Sequence, residues 1–126
     1  MNRLFIALLL ATLAAACRPP AQEDLLPPGV EIQSPVGASY RVGDSVRIAI
    51  AFSENDALHL IGYKLIERDS LRLVREQVVH VHASSYVMHD VFVSDALYAQ
   101  RFILVATADD HHGNRAESRF DFEVLP

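Results

Sequence analysis

The chemistry available to this chain sits in its six histidines and in a set of loop carboxylates. His80 and His82 are two residues apart, a spacing that puts both imidazoles on one face of an extended strand. His89 follows on the next extended segment and would lie near them if the two segments paired as a hairpin. Neutral imidazoles gathered in this way ligate Zn²⁺ or Cu²⁺. A second set joins two polar breaks. One holds Glu54, Asn55 and Asp56, with His59 just beyond; the other holds Asp109, Asp110, His111 and His112. Carboxylate and amide oxygens are the hard ligands that Ca²⁺ takes, although the spacing of an EF-hand loop is absent. The same residues also make turns, since Asp and Asn bond their own backbone and Gly113-Asn114 tolerates positive φ. His111 and His112 are adjacent and point apart in extended chain, so they do not chelate as a pair. Neither G-x-S-x-G nor H-E-x-x-H occurs, and Ser84-Ser85 beside His82 reads as a turn. No catalytic activity is expected.

Such residues need a scaffold, and the alternation of apolar and polar side chains predicts one. Val46, Ile48, Ile50 and Phe52 alternate with Arg47, Ala49 and Ala51 in a period of two. Val30 and Ile32 begin a strand that Pro35 must end, at a sheet edge. Ile61, Tyr63 and Leu65 mark a strand over 60–69, and the Val-rich segment 71–82 a further strand or a broken pair. Residues 86–93 alternate again. The segment 100–124 reads as two alternating runs, Phe102 to Ala108 and Ala116 to Val124, around Asp110-His111-His112-Gly113-Asn114, a β-hairpin signature. About seven short strands with frequent turns predict an all-β, Ig-like antiparallel β-sandwich, without the Cys and Trp set of antibody domains. In that fold the loop after the second strand and the last hairpin emerge at one end, which would bring the two polar breaks together.

The N-terminus predicts an address. A basic start, an apolar run from Leu4 to Ala16 and then Cys17 form the layout of a signal peptide, 1–16. Leu13-Ala14-Ala15-Ala16-Cys17 resembles a bacterial lipobox. That resemblance implies a diacylglycerol and an N-acyl chain on Cys17, and hence a membrane partner through the lipid anchor. Arg18, in place of an Asp, implies the outer membrane by the same resemblance. Residues 17–29 carry two Pro-Pro pairs and read as an extended tether, leaving 30–126 as the folded domain. Loss of Arg3 with the signal takes the 11 Lys and Arg to 10 against 16 Asp and Glu, moving the net charge from −5 to −6. An acidic chain without a basic stripe excludes nucleic acid as a partner.

From Ile32 onward the order of signals resembles the DUF4625 family of Bacteroidetes lipoproteins. The resemblance rests on Ser34-Pro35, on Gly43-Asp44-Ser45-Val46, on Tyr63-Lys64-Leu65 after the polar break, and on Asp110-His111-His112-Gly113-Asn114. It implies an Ig-like fold and an envelope location, and no established activity. The expected function is a lipid-anchored binding or spacer module that meets an envelope protein or glycan. A metal-binding envelope lipoprotein is the alternative, and an accessory part in glycan uptake a third reading.

Overall fold

A computed structural model describes residues 22–126, so the expected signal peptide and the Cys17 lipidation site lie outside the described residues. The described chain is all-β: eight strands in two sheets, with no helix. They are β1 (Gly29–Ser34), β2 (Ser39–Arg41), β3 (Val46–Ser53), β4 (Leu58–Glu67), β5 (Arg72–His80), β6 (Ser85–Phe92), β7 (Gln100–Asp110) and β8 (Arg115–Leu125). One sheet has the order β1-β3-β6 and the other β2-β8-β7-β4-β5. All pairings are antiparallel except β2 with β8. The strand beyond the seven expected is β2; at three residues it is too short to show an alternation.

Inward faces follow the period of two. Val46, Ile48, Ile50 and Phe52 of β3 are fully buried, as are Ile61, Tyr63 and Leu65 of β4 and Phe102, Leu104, Ala106 and Ala108 of β7. Met88 and Phe92 complete the β6 side, while Val87 and Val91 of the same strand face water. The last two strands pair over their whole length, from Gln100↔Val124 to Asp109↔Arg115. Strand β7 lies inside its sheet between β8 and β4, so the final hairpin forms the sheet's middle. Close approach of β5 to β4 requires Gly62: a Cβ there would stand 2.3 Å from the Gln77 carbonyl oxygen.

A polar clasp ties the two sheets at their β5 and β6 edges. Asp90 of β6 accepts hydrogen bonds from the Tyr63 hydroxyl and from Arg75 Nη1 at 3.0 Å, and Arg75 also donates to the Val91 carbonyl at 2.6 Å. Burial pushes the Asp90 carboxyl up, but the Tyr63 hydroxyl, the Val91 N–H and the Arg75 guanidinium together hold it below the usual 3.8. Replacing Asp90 by Ala strands the buried Tyr63 hydroxyl and should cost about 1–3 kcal/mol in urea unfolding at pH 7. Because the folded-state pKa is depressed, the contribution is present above 3.8 and is lost as pH falls through the folded value. The gap between wild type and Asp90→Ala should therefore narrow on acidification below that point. A constant gap would show that the carboxylate is not the clasp.

Candidate metal centre

One end of the sandwich collects the loop between β3 and β4, the crossing from β5 to β6 and the β7–β8 turn. Three backbone bonds stitch the first two: Glu54 N–H donates to the Ser84 carbonyl, Leu58 N–H to Ala83 and Val81 N–H to His59, at 2.9–3.0 Å. His59 owes its position to a bulge. Pairing of β4 with β7 runs from Leu58↔Asp110 to Leu60↔Asp109, leaving His59 as the extra residue between them. A bulge re-aims a side chain out of the regular pleat. His80 is the last residue of β5, opposite Leu60, and His82 lies two residues on, past the buried Val81. His111 opens the β7–β8 turn. That turn is held by the Asp110 carboxylate, which accepts from the N–H groups of His112 and Asn114, both at 2.8 Å, and by Gly113 at φ +87°.

These elements bring four imidazoles into a closed circuit. Ring centres are 4.5 Å apart for His59–His80, 4.6 Å for His80–His82, 5.3 Å for His82–His111 and 4.5 Å for His111–His59. Ring nitrogens at 2.0–2.1 Å from a tetrahedral ion place the ring centres about 5 Å apart, near these four spacings, but no three of the four rings turn nitrogens to within 4.8 Å of one another. His80 Nε2 and His59 Nδ1 already lie 2.9 Å apart, in hydrogen-bond contact. Holding one ion would require the rings to rotate until a nitrogen of each faces it, with neighbouring nitrogens roughly 3.3 Å apart. Half-burial of His59 and exposure of the other three leave room for this. Burial lowers the pKa of His80, and the charges that His59, His82 and His111 would carry lower it further. His80 therefore resists protonation, and the neutral ring is the form a metal binds.

The remaining sequence candidates separate. His89 does not join His80 and His82. Strand β5 pairs with β4, while β6 belongs to the other sheet, where His89 stands opposite Ala49. The chain crosses between sheets at 81–84, drawn by burial of Val81, and the expected hairpin between the two His-bearing strands does not form. His111 and His112 point apart as expected, His112 facing Asp56 at 3.3 Å. Asp109 turns to Arg115 at 3.4 Å, on the opposite side of β7 from Asp110. Of the expected carboxylate set, only Glu54 and Asp110 come together, and they do so with Asp24 from the tether. Asp24 was not foreseen, because nothing in a Pro-rich segment signals a docked side chain. His59 does come beside His111 as the meeting of the two polar breaks predicts, but its place beside His80 depends on a bulge and on strand register, which alternation does not encode. Compared with models of known protein families and with curated proteins, the chain matches none.

Proposed function

We propose that this chain is a lipid-anchored, Ig-like domain of the bacterial envelope that binds one transition-metal ion, Zn²⁺ or Cu²⁺, through His59, His80, His82 and His111, with no catalytic activity of its own. The closed circuit of four imidazoles carries this reading. Imidazole suits both ions, and the lack of a thiolate or carboxylate in the circuit disfavours hard cations there. Support for the Ig-like part comes from the order of strands. Strands β1, β3 and β6 in one sheet and β5, β4, β7 and β8 in the other follow the ABE and C′CFG arrangement. The resemblance to the DUF4625 family and the lipobox-like Leu13 to Cys17 support an envelope location.

Equilibrium dialysis of the full-length chain in detergent against Zn²⁺ or Cu²⁺ should leave one ion per chain. No retained metal ends the metal reading. Radiolabelled palmitate fed to the host should label the wild-type chain and not Cys17→Ala; an unlabelled wild type, or a Cys17→Ala chain that stays in the membrane, ends the anchor.

A further inference from the structure

Beside the histidines lies a second cluster of a different chemistry. Asp24 of the tether, Glu54 of the β3–β4 loop and Asp110 of the β7–β8 turn each place one carboxylate oxygen within 4.8 Å of the others. Ligand oxygens on opposite sides of a Ca²⁺ ion, each at 2.3–2.6 Å, are about 4.6–5.2 Å apart, so one ion can touch all three. Three carboxylates this close repel one another, and among the described residues none of them forms an ion pair with Lys or Arg. Neutral amides hold the frame instead. Asn55 Nδ2 donates to Asp24 Oδ2 at 3.0 Å, and Asn114 Nδ2 donates to the Asp24 carbonyl at 2.9 Å and to Asp110 Oδ2 at 2.7 Å.

Glu54 supplies the observation that a turn-making role leaves unexplained. The residue is only 9% exposed; its Oε1 accepts from the Asn55 N–H at 2.7 Å, but its Oε2 is sealed from solvent with no hydrogen-bond partner. A buried carboxylate oxygen without a partner is costly unless a cation or a donor meets it. Asp110 Oδ1 is filled by the His112 and Asn114 N–H groups, while its Oδ2, which accepts from Asn114 Nδ2, and the two Asp24 oxygens, which accept from Leu26 N–H and Asn55 Nδ2, each keep a lone pair free. Only Glu54 has an oxygen with nothing on it.

We propose that Asp24, Glu54 and Asp110 form a Ca²⁺ site that fastens the tether to the sandwich. The ligands are hard oxygens, and Ca²⁺ accepts them in irregular geometry, whereas Mg²⁺ dehydrates reluctantly and demands a near-ideal octahedron. Without the ion the tether before the buried Pro28 is held through the polar contacts of Asp24, since Leu25 and Leu26 are 73% and 62% exposed and do not dock. The ion adds the attraction that joins Asp24 to two strand ends across about thirty and ninety residues of chain.

The test uses the full-length chain in detergent, stripped with EDTA, with Ca²⁺ alone as probe and Mg²⁺ as control. Millimolar Ca²⁺ should raise the melting temperature and slow proteolysis within residues 22–28, by roughly tenfold at ten times the Kd, and Mg²⁺ should do neither. Asp24→Asn, on an element outside both sheets, should abolish the proteolytic protection while leaving the fold intact. Glu54→Gln should abolish the Ca²⁺ response and match or exceed wild type in EDTA, because a buried charge has gone. A wild-type chain indifferent to Ca²⁺, or variants that respond as wild type does, overturns the site. Ca²⁺ protection that persists in His59→Ala, together with a Zn²⁺ response that persists in Asp24→Asn, separates this site from the histidine circuit.

Discussion

Zn²⁺ at a hundredfold excess over its Kd raises the melting temperature of the full-length chain by roughly 10–20 °C. Mass action at that excess contributes about 2.7 kcal/mol, and a domain of about a hundred residues moves 4–8 °C per kcal/mol. The variants make the result specific. His59→Ala removes the ring that neighbours both His80 and His111, with centres 4.5 Å away from each, and so opens the circuit. Its affinity loss should exceed the roughly 10–100-fold typical of losing an outer partner of a metal ligand. The double variant His59→Ala/His80→Ala should lose the thermal response altogether. His89→Ala and His112→Ala should keep it, since His89 lies in the other sheet and His112 faces Asp56. Calorimetric melts with and without Zn²⁺ decide the matter. A response carried equally by His89, or one surviving the double variant, would place the metal elsewhere.

Phe102→Ala should leave the domain largely unfolded at 37 °C. Its ring packs on Phe92 of the opposite sheet at 5.0 Å and stacks on Phe122 at 5.3 Å, so it joins the two layers. Truncating a buried Phe to Ala costs about 3–5 kcal/mol, against a total stability of about 5–15 kcal/mol. At 4–8 °C per kcal/mol that is a fall of roughly 12–40 °C. No internal disulfide can restrain the unfolded chain, because the sequence holds a single Cys. Urea unfolding should show a lower midpoint at unchanged slope. A loss below about 1 kcal/mol would mean that the aromatic trio does not hold the sheets together.

Much of the architecture was legible because a strand advertises its buried face locally. Val46 to Phe52 and Phe102 to Ala108 alternate in a way that only a two-sided sheet satisfies, and the strands run where that alternation runs. Gly113 and Asn114 marked the turn for the same local reason: few other residues accept its backbone angles. The paired polar breaks at 54–56 and 109–112 were expected at one end, and Glu54 and Asp110 do meet there.

Partnership between distant strands was not legible. A period of two says which way a side chain faces its own sheet, but carries no information on which sheet a strand joins. Hence alternation places His80 and His82 with His89, next along the chain, whereas the fold sets them beside His59, the bulged residue of β4, and His111, in the β7–β8 turn. The same holds for Asp24, five residues before β1 begins at Gly29, yet bonded to Asn114. Chain order therefore laid down the two-layer body and its turns, whereas the choice of neighbours, which non-local hydrogen bonding and burial of Val81 settle together, is what brought four scattered histidines into one cluster.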